Sequence, residues 1–266
     1  MEFYVDIADL DAVEEVASFI PVEGFTTNPR ILAGADGDPQ ELMGALRAYV
    51  ERTGCRVFAQ VTARDAEGMV EEARRLRAFF GETFVVKIPA VREGFRAVPM
   101  CKAEGICVCV TVVHSALQAL VAAKAGADYV APYVSHIESI GADGVSCVAE
   151  MVGLFREHGY PTKVLGASFR TVDQVRLVAD AGCQAVTLKP QMFKNLIAHP
   201  STDESMRSFE SAWASTFGEK GVCDLLPSAR SLTGRKRGAR PRPRPRPPRM
   251  QDGSRAPTRS RARRGA

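Results

Sequence analysis

Residues 55–90, CRVFAQVTARDAEGMVEEARRLRAFFGETFVVKIPA, switch between two periodicities. The ends, CRVFAQVT and FVVKIPA, are short runs rich in β-branched and aromatic residues, as strands are. Between them Met69, Val70, Ala73, Leu76 and Phe80 recur at helical spacing and share one face. A strand, a helix and a second strand in this length form one βαβ unit, whose two strands run parallel.

The same unit repeats in both directions along the chain. FYVDI, GFTTN, CRVFAQVT, FVVKIPA, CVCVTVV, YVAPYV, TKVLGASF and AVTLKP are eight strand-like runs, separated by amphipathic helical patterns. Gly24, Gly54, Gly81, Gly105, Gly126, Gly159 and Gly182 close helices or precede strands, where a left-handed turn is needed. Eight successive βα units predict an α/β fold, an eight-stranded parallel (β/α)8 TIM barrel. An open doubly wound sheet is the alternative, but no GxGxxG follows the first run, and ADGD at 35–38 reads as a turn. After the eighth unit, STDESMRSFESAWASTFGE predicts an extra C-terminal helix with Phe209, Trp213 and Phe217 in a stripe that must cover the barrel or a neighbouring subunit.

Charge divides the chain near Gly221. Residues 221–266 hold 14 Lys plus Arg against 2 acids, which leaves 21 against 29 for residues 1–220. The predicted organisation is therefore a barrel with its extra helix over 1–220 and a Pro/Arg-rich tail over 221–266. The tail, with RPRPRPPR at its centre, lacks the apolar surface that would repay its ordering entropy, so disorder is expected. Pro-Arg alternation offers no aromatic stacking platform, and nucleic-acid binding is not the expectation. No run approaches the ~18 apolar residues of a membrane span, and the first residues, MEFYVDIADLD, carry acids where a secretory signal carries bases. A soluble cytoplasmic protein without membrane contact is predicted. Seven cysteines, with only Cys107 and Cys109 closely spaced, predict reduced thiols and no zinc.

A barrel of this kind carries its active site at the carboxyl ends of the strands. Polar residues near those ends are Asp6, Thr26, Asn28, Gln60, Lys87, Thr111, Tyr133, Ser168 and Arg170. Lys87 lies between Val85, Val86, Ile88 and Pro89, and a lysine rarely points into a barrel without a task. Burial disfavours an ammonium, and a free amine in a closed pocket attacks carbonyls to form a Schiff base. The structural alternative is a lysine paired with Asp6 across the barrel. Asp6 can hold Lys87 or shuttle protons, Gln60 can orient a water through its amide, and Tyr133 can act as acid or base.

YVDIADL, GFTTNPRIL, FAQV with AEGMV, VVKIPA, KAEGI, AGADYVAPYV, KVLGASFRT, AGCQAVTL and FESAWASTFG together resemble the small transaldolase family, within it the fructose-6-phosphate aldolase branch. The resemblance runs from Met1 to about Gly218. It implies a βα barrel with neither metal nor organic cofactor, in which Lys87 forms a Schiff base with dihydroxyacetone-type ketoses. It also implies that Gln60, Thr111 and Tyr133 surround a catalytic water, with Asp6 in the active site and Asn28 near the dihydroxyacetone unit. Transaldolases usually carry Glu and Phe where this chain has Gln60 and Tyr133, so both residues favour the aldolase. A tyrosine able to protonate the enamine releases a free ketone, whereas without it the enamine waits for an aldehyde acceptor.

The implied reaction is reversible cleavage of fructose 6-phosphate to dihydroxyacetone and glyceraldehyde 3-phosphate. Transaldolase transfer of the three-carbon unit between sugar phosphates is the alternative. A non-catalytic barrel whose basic tail binds nucleic acid is a reading from another class. Relatives assemble as pentamer-based decamers, a use that the Phe209, Trp213, Phe217 stripe suits.

One departure stands out: where the family has an arginine that clamps the sugar phosphate, this chain has His136, which is only partly charged near neutral pH and lacks the two-pronged guanidinium. Ser168 and Arg170 keep the seventh-strand side of that pocket. Lys189, where relatives commonly have proline, is either a substitute charge or a solvated lysine.

Overall fold

The computed structural model describes residues 1–227, and strand and helix alternate along it in the order that the sequence predicts. The first half contains β1 (Glu2–Asp6), α1 (Leu10–Ala17), β2 (Gly24–Thr26), α2 (Pro29–Ala33), α3 (Pro39–Thr53), β3 (Arg56–Gln60), α4 (Ala66–Phe80) and β4 (Phe84–Pro89). It continues with α5 (Arg92–Ala103), β5 (Cys107–Val113), α6 (Ala116–Lys124), β6 (Tyr129–Pro132), α7 (Val134–Ser139) and α8 (Gly144–Glu157). Then follow β7 (Lys163–Gly166), α9 (Val172–Asp180), β8 (Ala185–Leu188), α10 (Pro190–Ile197) and α11 (Pro200–Phe217).

The strands pair in parallel in chain order, and β1 pairs with both β2 and β8, so the sheet closes into a (β/α)8 barrel. Closure gives each strand two buried faces. Val5, Phe25, Val57, Val86, Ile88, Val108, Val110 and Val186 point outward into the layer shared with the helices. Tyr4, Phe58, Val85, Cys109, Tyr129 and Leu165 point inward and fill the barrel's waist. All seven glycines read as turn positions have positive φ. Gly24 is the most constrained: at φ 154° a Cβ would stand 1.8 Å from the Arg56 carbonyl oxygen, so no other residue lets β2 lie this close to β3.

Polar side chains plug the amino-terminal end of the barrel. Tyr4 and Tyr129 each donate a hydroxyl hydrogen bond to Glu2 Oε2, at 2.9 and 3.0 Å. Lys163 Nζ reaches Glu2 Oε1 at 2.5 Å, and Arg56 donates to both tyrosine oxygens at 3.1 and 2.6 Å. Burial pushes the Glu2 carboxyl up, but the hydrogen bonds from Lys163, Tyr4 and Tyr129 outweigh it and hold the group below the ordinary glutamate value. Burial also pushes the Tyr4 phenol up to about 12.

Met1–Thr202 form one compact unit, and a second begins at Asp203, early in α11. No residue of α11 is buried, and Phe209 is 66% exposed. Within this unit Trp213 packs on Phe217 with ring centroids 4.7 Å apart, and its Nε1 donates to the Lys220 carbonyl at 2.6 Å. A 3-10 turn, Val222–Leu225, lies just past the charge boundary at Gly221. The rest of the predicted tail, 228–266, is outside the described residues. Among the described residues no helix is long and apolar enough to cross a membrane.

Candidate active site

Strand alternation carries the site. In β4, Val85 faces the waist, and Lys87, two residues on, faces the same interior one layer nearer the carboxyl end. Register places Gln60 of β3 and Cys109 of β5 on either side of Lys87. Lys87 is only 4% exposed, and its Nζ donates to the backbone carbonyl of Thr27 at 3.0 Å.

Asp6 is not the partner of Lys87. Its Oδ1 accepts from Thr26 Oγ1 at 2.7 Å, and Thr26 Oγ1 lies 2.6 Å from Thr187 Oγ1. Because Thr26 has one hydroxyl proton and gives it to Asp6, Thr187 is the donor in the second bond. The ion pair weighed as a structural alternative for Lys87 is thus replaced by a neutral acceptor, while Asp6 is held by a threonine chain from β2 and β8. A carbonyl acceptor occupies one N–H and leaves the lone pair of a free amine available for attack.

On the far wall, Thr111 Oγ1 and the Tyr133 hydroxyl stand 3.4 Å apart. Their approach depends on an irregularity: the β5–β6 register shifts between Val110 and Val113, and Val112 sits at φ 60°, a conformation costly for a β-branched residue. Thr111 faces inward by simple alternation from Cys109, in unbroken register with Pro89 of β4, and just beyond the bulge His114 Nδ1 is 3.0 Å from the Val112 carbonyl. Ser168, at φ 60°, is 2.9 Å from Ser135 between their hydroxyl oxygens, which ties the loop after β7 to α7.

Asn28 caps α2, its Oδ1 accepting from the Ile31 amide at 3.0 Å, and its NH2 makes no hydrogen bond among the described residues. The structure therefore gathers Asp6, Thr26, Asn28, Gln60, Lys87, Thr111 and Tyr133 at one end of the barrel. Lys189 is exposed and makes no side-chain hydrogen bond among the described residues, so nothing joins it to Ser168, Arg170 or His136. Three participants are absent from the sequence reading. Thr187 was within reach of the same rule, a polar residue in an apolar run, and His114 directly follows the β5 run. The Thr27 carbonyl had no signal, since backbone acceptors leave no trace in side-chain pattern.

The family model described as transaldolase/fructose-6-phosphate aldolase matches residues 3–226, nearly all of the described chain. The chain belongs to the transaldolase/fructose-6-phosphate aldolase family. Members of this family are Schiff-base aldolases or transaldolases acting on sugar phosphates.

Solved structures resemble this transaldolase/aldolase family member in fold. A flavocytochrome b2 double variant with sulfite bound is 13% identical with a TM-score of 0.53, over 73% of this chain and 58% of that one. A single variant with benzoylformate is 13% identical with a TM-score of 0.52, over 73% and 59%. A mandelate oxidase variant with (S)-mandelic acid is 17% identical with a TM-score of 0.50, over 72% and 65%. The chain thus spans less than two thirds of each, and at these identities the likeness is one of barrel architecture.

The mouth of this family member also carries a ring cluster. His136 lies edge-on to Tyr133 with centroids 5.2 Å apart, and stacks parallel to His114 at 6.1 Å. Loss of water around the rings, followed by the charges of His114, Arg170 and Arg30, holds His136 below the ordinary histidine value.

Proposed function

We propose that the protein is a class I aldolase that reversibly cleaves fructose 6-phosphate into dihydroxyacetone and glyceraldehyde 3-phosphate. One observation carries the reading: Lys87 is buried at the catalytic end of the barrel and held by a carbonyl rather than a carboxylate. Family membership supplies the reaction class, and Gln60 with Tyr133 favours the aldolase branch.

In this mechanism the Lys87 amine adds to the C2 ketone. The adduct oxygen takes one proton from nitrogen by way of Asp6 and a second from solvent, and leaves as water to give an iminium; the solvent proton is returned when the iminium is hydrolysed. The C4 hydroxyl proton moves to Asp6 by way of a water bounded by Gln60, Thr111 and Tyr133. As it leaves, the C3–C4 bond breaks, its electron pair enters the iminium, and glyceraldehyde 3-phosphate departs from an enamine. Tyr133 protonates C3 and recovers its proton from Asp6 through the water. Hydrolysis then frees dihydroxyacetone and Lys87. Asn28 binds the dihydroxyacetone hydroxyls, Thr26 orients Asp6, and Ser168, Arg170 and His136 face the phosphate.

Transaldolase is the second reading, favoured by a family model that covers both activities. The deciding experiment is glyceraldehyde 3-phosphate release from fructose 6-phosphate, with and without erythrose 4-phosphate. Release without the acceptor supports the aldolase; strict dependence on it makes the protein a transaldolase.

A further inference from the structure

We propose that Thr187, on β8, is a positioning residue of the reaction: it fixes the Thr26 hydroxyl and, through it, the carboxylate of Asp6. The inference rests on the Schiff-base reading of Lys87, in which Asp6 carries protons, and holds for the aldolase and the transaldolase alike.

Topology is the first argument. Val186 and Leu188 belong to the layer shared with the helices, so Thr187 between them faces the interior. Phe25 sets Thr26 inward on β2 in the same way. Because β1 lies between β2 and β8, the two hydroxyls meet across the inner face of the strand that carries Asp6. The pairing registers put both threonines in one cross-barrel layer with Lys87 and Ala131, next to the layer of Asp6, Gln60 and Thr111. Thr26, Lys87, Ala131 and Thr187 are all buried.

The second argument is the supply of donors. Among the described residues, Thr26 alone donates a hydrogen bond to Asp6, at 2.7 Å. A hydroxyl has one proton and turns about its C–O bond, so a lone threonine fixes a carboxylate only while that proton stays on it. Thr187 Oγ1, 2.6 Å from Thr26 Oγ1, donates into the Thr26 oxygen and occupies a direction that the Thr26 proton would otherwise sweep. A hydroxyl that accepts such a bond is also polarised into a stronger donor.

Chemistry supplies the third. Asp6 exchanges protons with the adduct at Lys87 in one step and with the water bounded by Gln60, Thr111 and Tyr133 in another. Tying Oδ1 to Thr26 keeps Oδ2, which makes no hydrogen bond among the described residues, for both exchanges. A neutral anchor suits a proton carrier, since an arginine or lysine in its place would hold a carboxylate ionised and make it a weak base.

The test is a double-mutant cycle on the full chain, read as the rate at which saturating dihydroxyacetone forms a borohydride-trapped adduct at Lys87. That step needs no aldehyde, so an aldolase and a transaldolase give the same readout. Thr187→Val keeps the side-chain shape and removes the hydroxyl; it should slow adduct formation about 5-fold, the scale of one neutral hydrogen bond, without changing the dihydroxyacetone concentration for half-maximal rate. Thr187→Ser should restore most of the rate. Thr26→Val should slow it further, and Thr187→Val should add nothing in that background, because its effect passes through Thr26. Thr162→Val, which removes a buried hydroxyl bonded to the Ala127 carbonyl before β7, should match the parent. Thr187→Ala takes the same place in the cycle if Thr187→Val does not fold. An unchanged rate in Thr187→Val, an equal slowing by Thr162→Val, or independent effects that multiply in the double variant overturns the proposal. A parent that traps no adduct defeats the Schiff-base reading and the role of Thr187 with it, whereas a parent that traps the adduct but is indifferent to Thr187→Val defeats the role of Thr187 alone.

Discussion

Lys87 Nζ and the Thr27 carbonyl oxygen meet at 3.0 Å, inside a barrel where Lys87 is 4% exposed. A buried lysine is usually compensated by a carboxylate, because isolated charge in a low-dielectric interior is costly. Here the compensation is a single dipole, and the carboxylate of Asp6, on β1, is bound to Thr26. With Lys87 as the proposed nucleophile, this arrangement sets the first prediction.

Lys87→Met should remove fructose 6-phosphate turnover by at least about 10³-fold, the scale seen when a nucleophile is lost. It should also abolish borohydride-trapped adducts, read by intact mass. The same variant should gain about 1 kcal/mol of stability, a rise of about 2–4 °C in Tm, since it replaces a buried amine with an apolar chain of similar length. A trapped adduct surviving at another lysine would show that the nucleophile has been misassigned.

Tyr133→Phe removes the hydroxyl that stands 3.4 Å from Thr111 and leaves the aromatic packing on His136. Acceptor-free cleavage should fall by about 10²-fold. Transfer to erythrose 4-phosphate should fall less, so the ratio of the two rates moves toward transaldolase. A variant in which both rates drop in parallel would mean that Tyr133 does not protonate the enamine.

Stability should decline at both ends of the pH scale because of the plug beneath the barrel. The folded Glu2 carboxyl is held below its unfolded value, so its contribution is complete above the unfolded value of ~4.3 and is lost as pH falls through the folded one. Tyr4 is raised to about 12, so its contribution is complete below the unfolded value of ~10 and is lost as pH climbs toward 12. Urea unfolding across pH should show both flanks. Glu2→Gln should flatten the acid flank and cost about 1–3 kcal/mol near neutrality.

Thiol chemistry should single out one cysteine. All seven are free; Cys223 is exposed, whereas burial pushes Cys101 and Cys183 up to about 11 and Cys107 and Cys109 up to about 12. Cys55 and Cys147, half-buried, are also raised by burial. Brief iodoacetamide treatment at pH 7.5 should add one label to the native protein, at Cys223, and seven after unfolding, as counted by intact mass.

What the sequence determined alone is whatever neighbours along the chain impose. Short β-branched runs marked all eight strands, helical spacing marked the face of α4, and seven glycines marked turns that have positive φ. The same local logic singled out Lys87, since one charged residue inside FVVKIPA is conspicuous without any knowledge of its surroundings. Tertiary structure alone decided who meets whom. Barrel closure brings Thr187 beside Thr26, the pairing of neighbouring strands sets Thr111 3.4 Å from Tyr133, and the Thr27 carbonyl, not Asp6, receives Lys87. These contacts depend on the register between strands and on backbone groups that every residue shares, so side-chain pattern carries no record of them.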